Sequence, residues 1–431
     1  MLFTLAKGTS TLLLLVLLVA TASAAPQRLR WRRNTINIGI STSLLSAGPN
    51  MPTKPETLTA IERAFQAWED ATNINFRSTT SPLQSVDPPG PEGDGVSLVT
   101  IAATRENEEL FPRGIDDAAA RTRVFYDAKG FVTEADIVLN PFQQFSVDGN
   151  LGTFDLQATL THELGHLLGL GHSDVLGATM GDNNAKNGVY GLTGYSPRTL
   201  SASDLAAIRS LYGAPVSDSK CCSKIAGKLT INDGKPASAW MVWAEEMATG
   251  RVAAATRSGS DGTFLLDGLE SVDVRVFAQP VGKALNVAYV SLGEFALQPG
   301  SVQQISRDVE VHPLDLTISF VGSNDQLAGS AVNLNAGFVY EIYVAGEGLT
   351  PENISVVSSS PWLTINQEMV TAANFGEGVS ALSFRVNIPG GAPIGDYSIF
   401  VKTGTGEGRA LVGSLTVEKF PNISTKGIAA N

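Results

Sequence analysis

Residues 162–172 read His162-Glu163-Leu164-Gly165-His166-Leu167-Leu168-Gly169-Leu170-Gly171-His172, and they hold three of the four histidines in the 431-residue chain. With four histidines placed at random, the spacing i, i+4, i+10 is expected on the order of 10⁻⁴ times. Working outward, residues 155–168 carry the pattern of a helix. On a helix, positions four apart are offset by about 40° and about 6 Å, so His162 and His166 face one point. Gly169 suits a left-handed turn that ends the helix and reverses the chain. That turn lets His172 bring a third imidazole from another direction.

Three imidazoles leave the fourth position of a tetrahedral zinc for water, the arrangement of a catalytic and not of a closed structural site. Zinc in such a site brings the pKa of its water toward neutrality and polarises a carbonyl. Glu163, beside the first ligand, is placed to accept the water's proton and pass it to a leaving amine. The competing reading, a helix with surface or satisfied core histidines, would be the better one for a single histidine. It is disfavoured for this constellation.

The flanks divide into regions. Residues 1–24 combine Lys7, an unbroken apolar run from Leu12 to Ala20 and the small-residue site Ala22-Ser23-Ala24. They read as a cleaved secretory signal, too short for a membrane span, and imply an extracellular location. Residues 25–215 mix both periodicities. Thr35 to Ser41 reads as a first strand. Leu58, Ile61, Phe65 and Trp68 recur at helical spacing between Glu56 and Ala71, with Pro55 suited to the first turn. Residues 78–95, rich in Ser, Pro, Gly and Asp, read as a surface loop. Strands are expected at 96–102, 121–126 and 135–139. A last helix starts at Ser201, with Asp204 completing a capping box, and runs to about Tyr212.

After Pro215 the helical signal stops. Residues 216–224 read as a linker; 225–312 and 313–421 read as two β-sandwich domains, with turn signals about every ten residues; 422–431 read as a tail. Trp362 is expected in a core. The net charge of −12 argues against a nucleic-acid binder. The only cysteines are Cys221 and Cys222, adjacent in the linker, and are expected to be thiols without a role, because a bridge between neighbours is a strained ring.

The 162–172 segment resembles the metzincin signature H-E-x-x-H-x-x-G-x-x-H. Ser173 after the third histidine is the matrixin mark within that group, and Met180 stands where the matrixin Met-turn is expected. Arg30-Trp31-Arg32, residues 60–72 and residues 200–213 are similar to the family's amino terminus, first helix and last helix. The resemblance therefore covers about residues 28–213. It implies an α+β metzincin domain, a twisted mixed sheet with three main helices, and a zinc-dependent endopeptidase. His162, His166 and His172 would be the metal ligands, Glu163 the catalytic residue and Met180 an apolar floor beneath the metal. An extended polypeptide substrate would add to the sheet edge near Ala118 to Val124.

The departures matter too. No cysteine precedes residue 221, so the family's cysteine switch is not expected. Residues 116–140 contain no histidine, so one zinc is expected and not two. Gly181-Asp182 replaces the family's Tyr-Pro in the segment that shapes its main specificity pocket, so specificity is not carried over. The family usually binds calcium. Asp116, Asp117, Asp136, Asp148 and Asp174 are oxygen donors near loops, but none forms a dense ligand pattern, and no calcium ligands are assigned. The remaining 225–280 stretch looks like a carboxypeptidase-regulatory-type module, and 314–420 resembles immunoglobulin-like modules. They leave open contact with a cell surface or polysaccharide, and the alternative that the chain is a catalytically weak adhesin or scaffold.

Overall fold

In this computed structural model, residues 29–46, 48–88, 93–111, 118–182, 185–191, 198–232, 234–282 and 286–418 are described. The signal segment, the tail, Asp116 and Asp117 lie outside them. The N-terminal unit contains β1 (Arg30–Trp31), β2 (Thr35–Ser41), α1 (Lys54–Ala71), β3 (Asn75–Ser81), β4 (Leu98–Thr100), α2 (Arg105–Glu108), β5 (Ala120–Tyr126), β6 (Phe131–Leu139), α3 (Leu156–Leu167) and α4 (Ala202–Tyr212). β2 lies parallel between β3 and β4, and β4 runs parallel to β6. β5 returns antiparallel on β6, and β1 pairs the start of β6. The sheet is thus mixed, with β5 at an edge.

Each helix follows from its sequence. Thr53 caps α1, its backbone N–H donating to Glu56 Oε2 at 2.9 Å, and Pro55 sits in the first turn, where its missing N–H costs nothing. The stripe Ile61, Ala64, Phe65, Trp68 is buried against Leu160, Leu164 and Ile137 in one core. Asp155 caps α3, accepting from Ala158 N at 2.9 Å. Gly169, with φ +98, turns the chain at its end; a Cβ there would overlap Leu29 O.

The loop expected from residue 78 begins later, because β3 runs to Ser81. Asn-Phe-Arg-Ser-Thr-Thr-Ser shows no apolar alternation, since an outer strand is held by backbone pairing to β2 and buries little of its length.

Residues 223–309 form two four-stranded sheets. Ile225, Leu266 and Ile305 of one share a core with Trp240, Val242 and Val276 of the other. Residues 317–418 form a six-stranded and a four-stranded sheet around Val321, Ile342 and Phe384 on one side and Val356, Ile399 and Leu415 on the other. Trp362 is not core: it is 40% exposed, because the bend at residues 361–363 turns Leu363 inward in its place. The two cysteines are not free. Cys221 and Cys222 are joined by a disulfide across a cis peptide, with Cα atoms 3.1 Å apart. No helix among the described residues is long and apolar enough to cross a membrane.

The units do not hang from linkers. Val175 and Ala178, between His172 and Met180, pack into one apolar cluster with Trp243 and Phe277 of the middle unit and Phe400 and Val412 of the last. Leu176 N donates to Val412 O at 3.0 Å, and Arg257 holds Asp174 by donating from Nε and Nη2 to its two carboxylate oxygens.

Candidate active site

α3 presents His162 and His166 from successive turns, and the Gly169 reversal brings His172 to them. His166 Nε2 lies 3.0 Å from His162 Nε2 and 3.1 Å from His172 Nε2. The outer nitrogens are accounted for: His162 Nδ1 is 2.7 Å from Thr179 O and His166 Nδ1 is 2.9 Å from Leu170 O. A carbonyl only accepts, so each Nδ1 carries the proton and each Nε2 lone pair points inward. His172 Nδ1 lies 3.1 Å from Asp182 Oδ1, so the aspartate of the Gly181-Asp182 departure serves as an orienting carboxylate. Bonds of 2.0–2.1 Å to one tetrahedral zinc would separate the ligand nitrogens by about 3.3 Å. Three converging lone pairs a few tenths of an ångström closer than that fit a zinc ion, whose positive charge removes their mutual repulsion. Burial holds the His166 and His172 imidazoles below their ordinary range, with each neighbouring histidine adding to it, so both are ready as neutral ligands.

Glu163 follows His162 and is buried. Thr122 of β5 donates its hydroxyl to Glu163 Oε2 at 2.5 Å, fixing the carboxylate beside the histidines. Thr122 carries no motif; forty residues separate it from Glu163, and only the packing of β5 beside α3 joins them. Met180 is buried under the helix. A Cβ at Gly165 would overlap Met180 Sδ and lie 2.9 Å from Trp68, which explains glycine in the middle of a helix. The turn carrying Met180 is held by Asp204, which accepts from Thr179 N at 2.8 Å and Met180 N at 3.1 Å while also capping α4.

The histidines open into a cleft of about 1410 Å³. The edge strand, residues 118–124, borders it together with Asp182, Ala185 and Val189, and Phe320 and residues 328–330 of the last unit also line it. Small-molecule sites occupy about 300–1,000 Å³, so the cleft suits a longer ligand.

A second group of potential ligand atoms is formed by Asp87, Asp94 and Glu134. Glu134 is 2% exposed and its Oε1 has no hydrogen-bond partner among the described residues, while Gly95 N donates to Oε2. Burial raises the Glu134 pKa, and the charges of Asp87 and Asp94 add to the rise. Asp136 is buried alongside, accepting from Leu98 N at 3.0 Å. Of the loop carboxylates considered from sequence, Asp174 is spoken for by Arg257.

Residues 115–213 match the Matrixin peptidase family. The matrixin match is accompanied by metalloendoproteinase 1 of Glycine max, 29% identical over 197 residues, 43% of this chain and 53% of the relative. Metalloendoproteinase 2-MMP of Arabidopsis thaliana is 28% identical over 44% of each chain. Macrophage metalloelastase of Rattus norvegicus is 30% identical over 45% of this chain and 36% of its own. The chain therefore spans about half or less of the length of these curated relatives. Among solved structures, the major pilin subunit of Bacillus cereus aligns at 12% identity with 45% of this chain and 69% of its own, at a TM-score of 0.18, too low to inform the fold.

Proposed function

We propose that this chain is an exported zinc endopeptidase in which two β-sandwich units accompany a metzincin-type catalytic unit. The observation that carries the reading is the convergence of three imidazoles, with His166 Nε2 3.0 Å from His162 Nε2 and 3.1 Å from His172 Nε2, beside a buried carboxylate. His162, His166 and His172 hold the metal, one zinc per chain, and Met180 is its apolar floor. Zinc bound there supplies Lewis acidity toward a carbonyl and toward water. Everything else is done by the chain. Glu163, held by Thr122, accepts a proton from the attacking water and delivers it to the departing amine. The exposed edge of β5 offers backbone groups with which an extended polypeptide pairs, placing a peptide carbonyl over the histidines. A folded substrate cannot offer a free strand, so loops and unfolded segments are the targets. The intact constellation of three histidines and a glutamate does not favour a purely adhesive role.

The calcium implied by the resemblance belongs, in this reading, at Asp87, Asp94 and Glu134. The orphaned Glu134 Oε1 among like charges fits a hard cation with oxygen ligands.

The test is Glu163→Gln. Stoichiometric zinc should remain, measured by elemental analysis, while cleavage of unfolded casein falls by about 10²–10⁴-fold. Unchanged cleavage removes Glu163 from the chemistry, and a purified protein without zinc removes the metal site.

A further inference from the structure

Phe320 stands on the strand Thr317–Ser323 of the C-terminal unit and is 47% exposed. The register of that strand breaks between Ile318 and Phe320, leaving Ser319 as the extra residue of a bulge. Bulges re-aim side chains, and this one sits where Phe320 faces the cleft that also holds His162 and Glu163. Residues 328–330 line the same wall.

The wall is locked to the catalytic unit. Tyr190, eight residues beyond Asp182, is 3% exposed and buried in the core of the C-terminal unit with Leu316, Val321 and Val332. Its hydroxyl donates to Ser330 O at 2.6 Å, its backbone N–H donates to Gln326 Oε1 at 2.6 Å, and Asn324 Nδ2 donates to its carbonyl at 2.7 Å. The segment whose Ala185 and Val189 line the cleft is thereby stapled to the strand pair carrying Phe320 and Ala328. The buried Tyr190 anchor already joins the two units, and a phenyl ring left half in solvent is not needed for that. They place an apolar surface of the C-terminal unit along the path of any long occupant.

We propose that Phe320, with the small residues Ala328 and Gly329, forms a distal subsite that takes an apolar side chain of the polypeptide substrate. The proposal rests on the peptidase reading above and deepens it: a unit outside the catalytic one contributes to specificity. Phe320 is a specificity-determining residue and takes no part in the chemistry.

The test uses the full chain loaded with zinc and two peptides sharing one scissile sequence. One has about four residues; the other has about ten, some 33 Å when extended, with apolar residues at its ends. The ratio of kcat/KM for the long to the short peptide should fall about tenfold in Phe320→Ala, the scale of one apolar contact, and return in Phe320→Leu. Val302→Ala, an exposed apolar residue in another unit, is the control for which the ratio should hold. In parallel, fluorescence anisotropy of the labelled long peptide reads binding to the Glu163→Gln protein with and without Phe320→Ala. A Kd weakened about tenfold supports the subsite whether or not cleavage is seen. A protein that binds in this Phe320-dependent way but whose wild type cleaves neither peptide defeats the peptidase reading and leaves the subsite standing. A wild-type ratio together with an unchanged Kd in Phe320→Ala overturns the subsite.

Discussion

Thr122→Val removes the side-chain hydrogen bond that holds the Glu163 carboxylate among the described residues. The substitution keeps the branched shape and removes the hydroxyl that lies 2.5 Å from Glu163 Oε2. Hydrogen bonds to charged groups contribute about 1.5–3 kcal/mol, more than neutral ones. Glu163 is buried and the hydroxyl is its only side-chain partner among the described contacts, so water replaces that bond poorly. If the whole of that energy is spent holding the base in place, kcat should fall between about tenfold and about 150-fold, since each 1.36 kcal/mol is a factor of ten. Thr122 also bridges at 3.2 Å to the Glu163 carbonyl, so a shift of β5 must be excluded. Peptide pairing with the β5 backbone should survive, and KM should stay within about twofold. The assay is steady-state cleavage of a fluorogenic peptide with zinc content and melting temperature measured on the same sample. A kcat within twofold of wild type, with zinc and fold intact, would refute the positioning role.

Two further outcomes are expected. Asp396, fully buried beneath the Met180 turn, has its pKa pushed up to about 7 by burial, opposed by the Thr416 hydroxyl and reinforced by Asp204. An acid whose folded pKa exceeds its unfolded value holds its proton longer in the native state, so stability falls as pH rises from about 4 to 7. Asp396→Asn should flatten that slope by up to about 1.4 kcal/mol per pH unit in urea titrations; an unchanged slope removes Asp396 as the source. Glu245, Glu418 and Asp136, raised by burial to about 7, about 8 and about 7, and the raised Glu134 add slopes of the same sign. At fixed zinc, calcium at about one hundred times its Kd should add about 2.7 kcal/mol. At about 2–4 °C per kcal/mol, that raises the melting temperature by about 5–10 °C. Glu134→Gln should abolish the rise, and equal wild-type melting with and without calcium counts against the carboxylate site.

Much of this molecule is local and hence legible in its sequence. The i, i+4 pair on α3, the glycine that must adopt φ +98, and the Ser201–Asp204 cap each depend on residues within a few positions of one another. Helical periodicity located α1, α3 and α4 to within about two residues, because buried stripes repeat every 3.6 positions. β3 shows no sequence signal because its pairing is by backbone and its side chains are polar, and the disulfide runs against the expectation that a ring between neighbours is too strained.

What only the tertiary structure decided is every contact between distant segments. Thr122 meets Glu163 because β5 turns back on β6 beside α3, and Asp182 meets His172 because the chain reverses through Met180. Asp87 and Asp94 meet Glu134 across some forty residues, and Tyr190 enters a core built from residues beyond 310. None of these residues belongs to a periodic pattern; each is selected by a partner whose position depends on sheet order and on how the units dock. The sequence alone determined a helix with two histidines on one face and the turn that brings a third to them. Which residue holds the Glu163 carboxylate, which carboxylates gather around Glu134 and which unit walls the cleft were decided by packing, since side chains far apart in sequence act on one another only when the fold makes them neighbours.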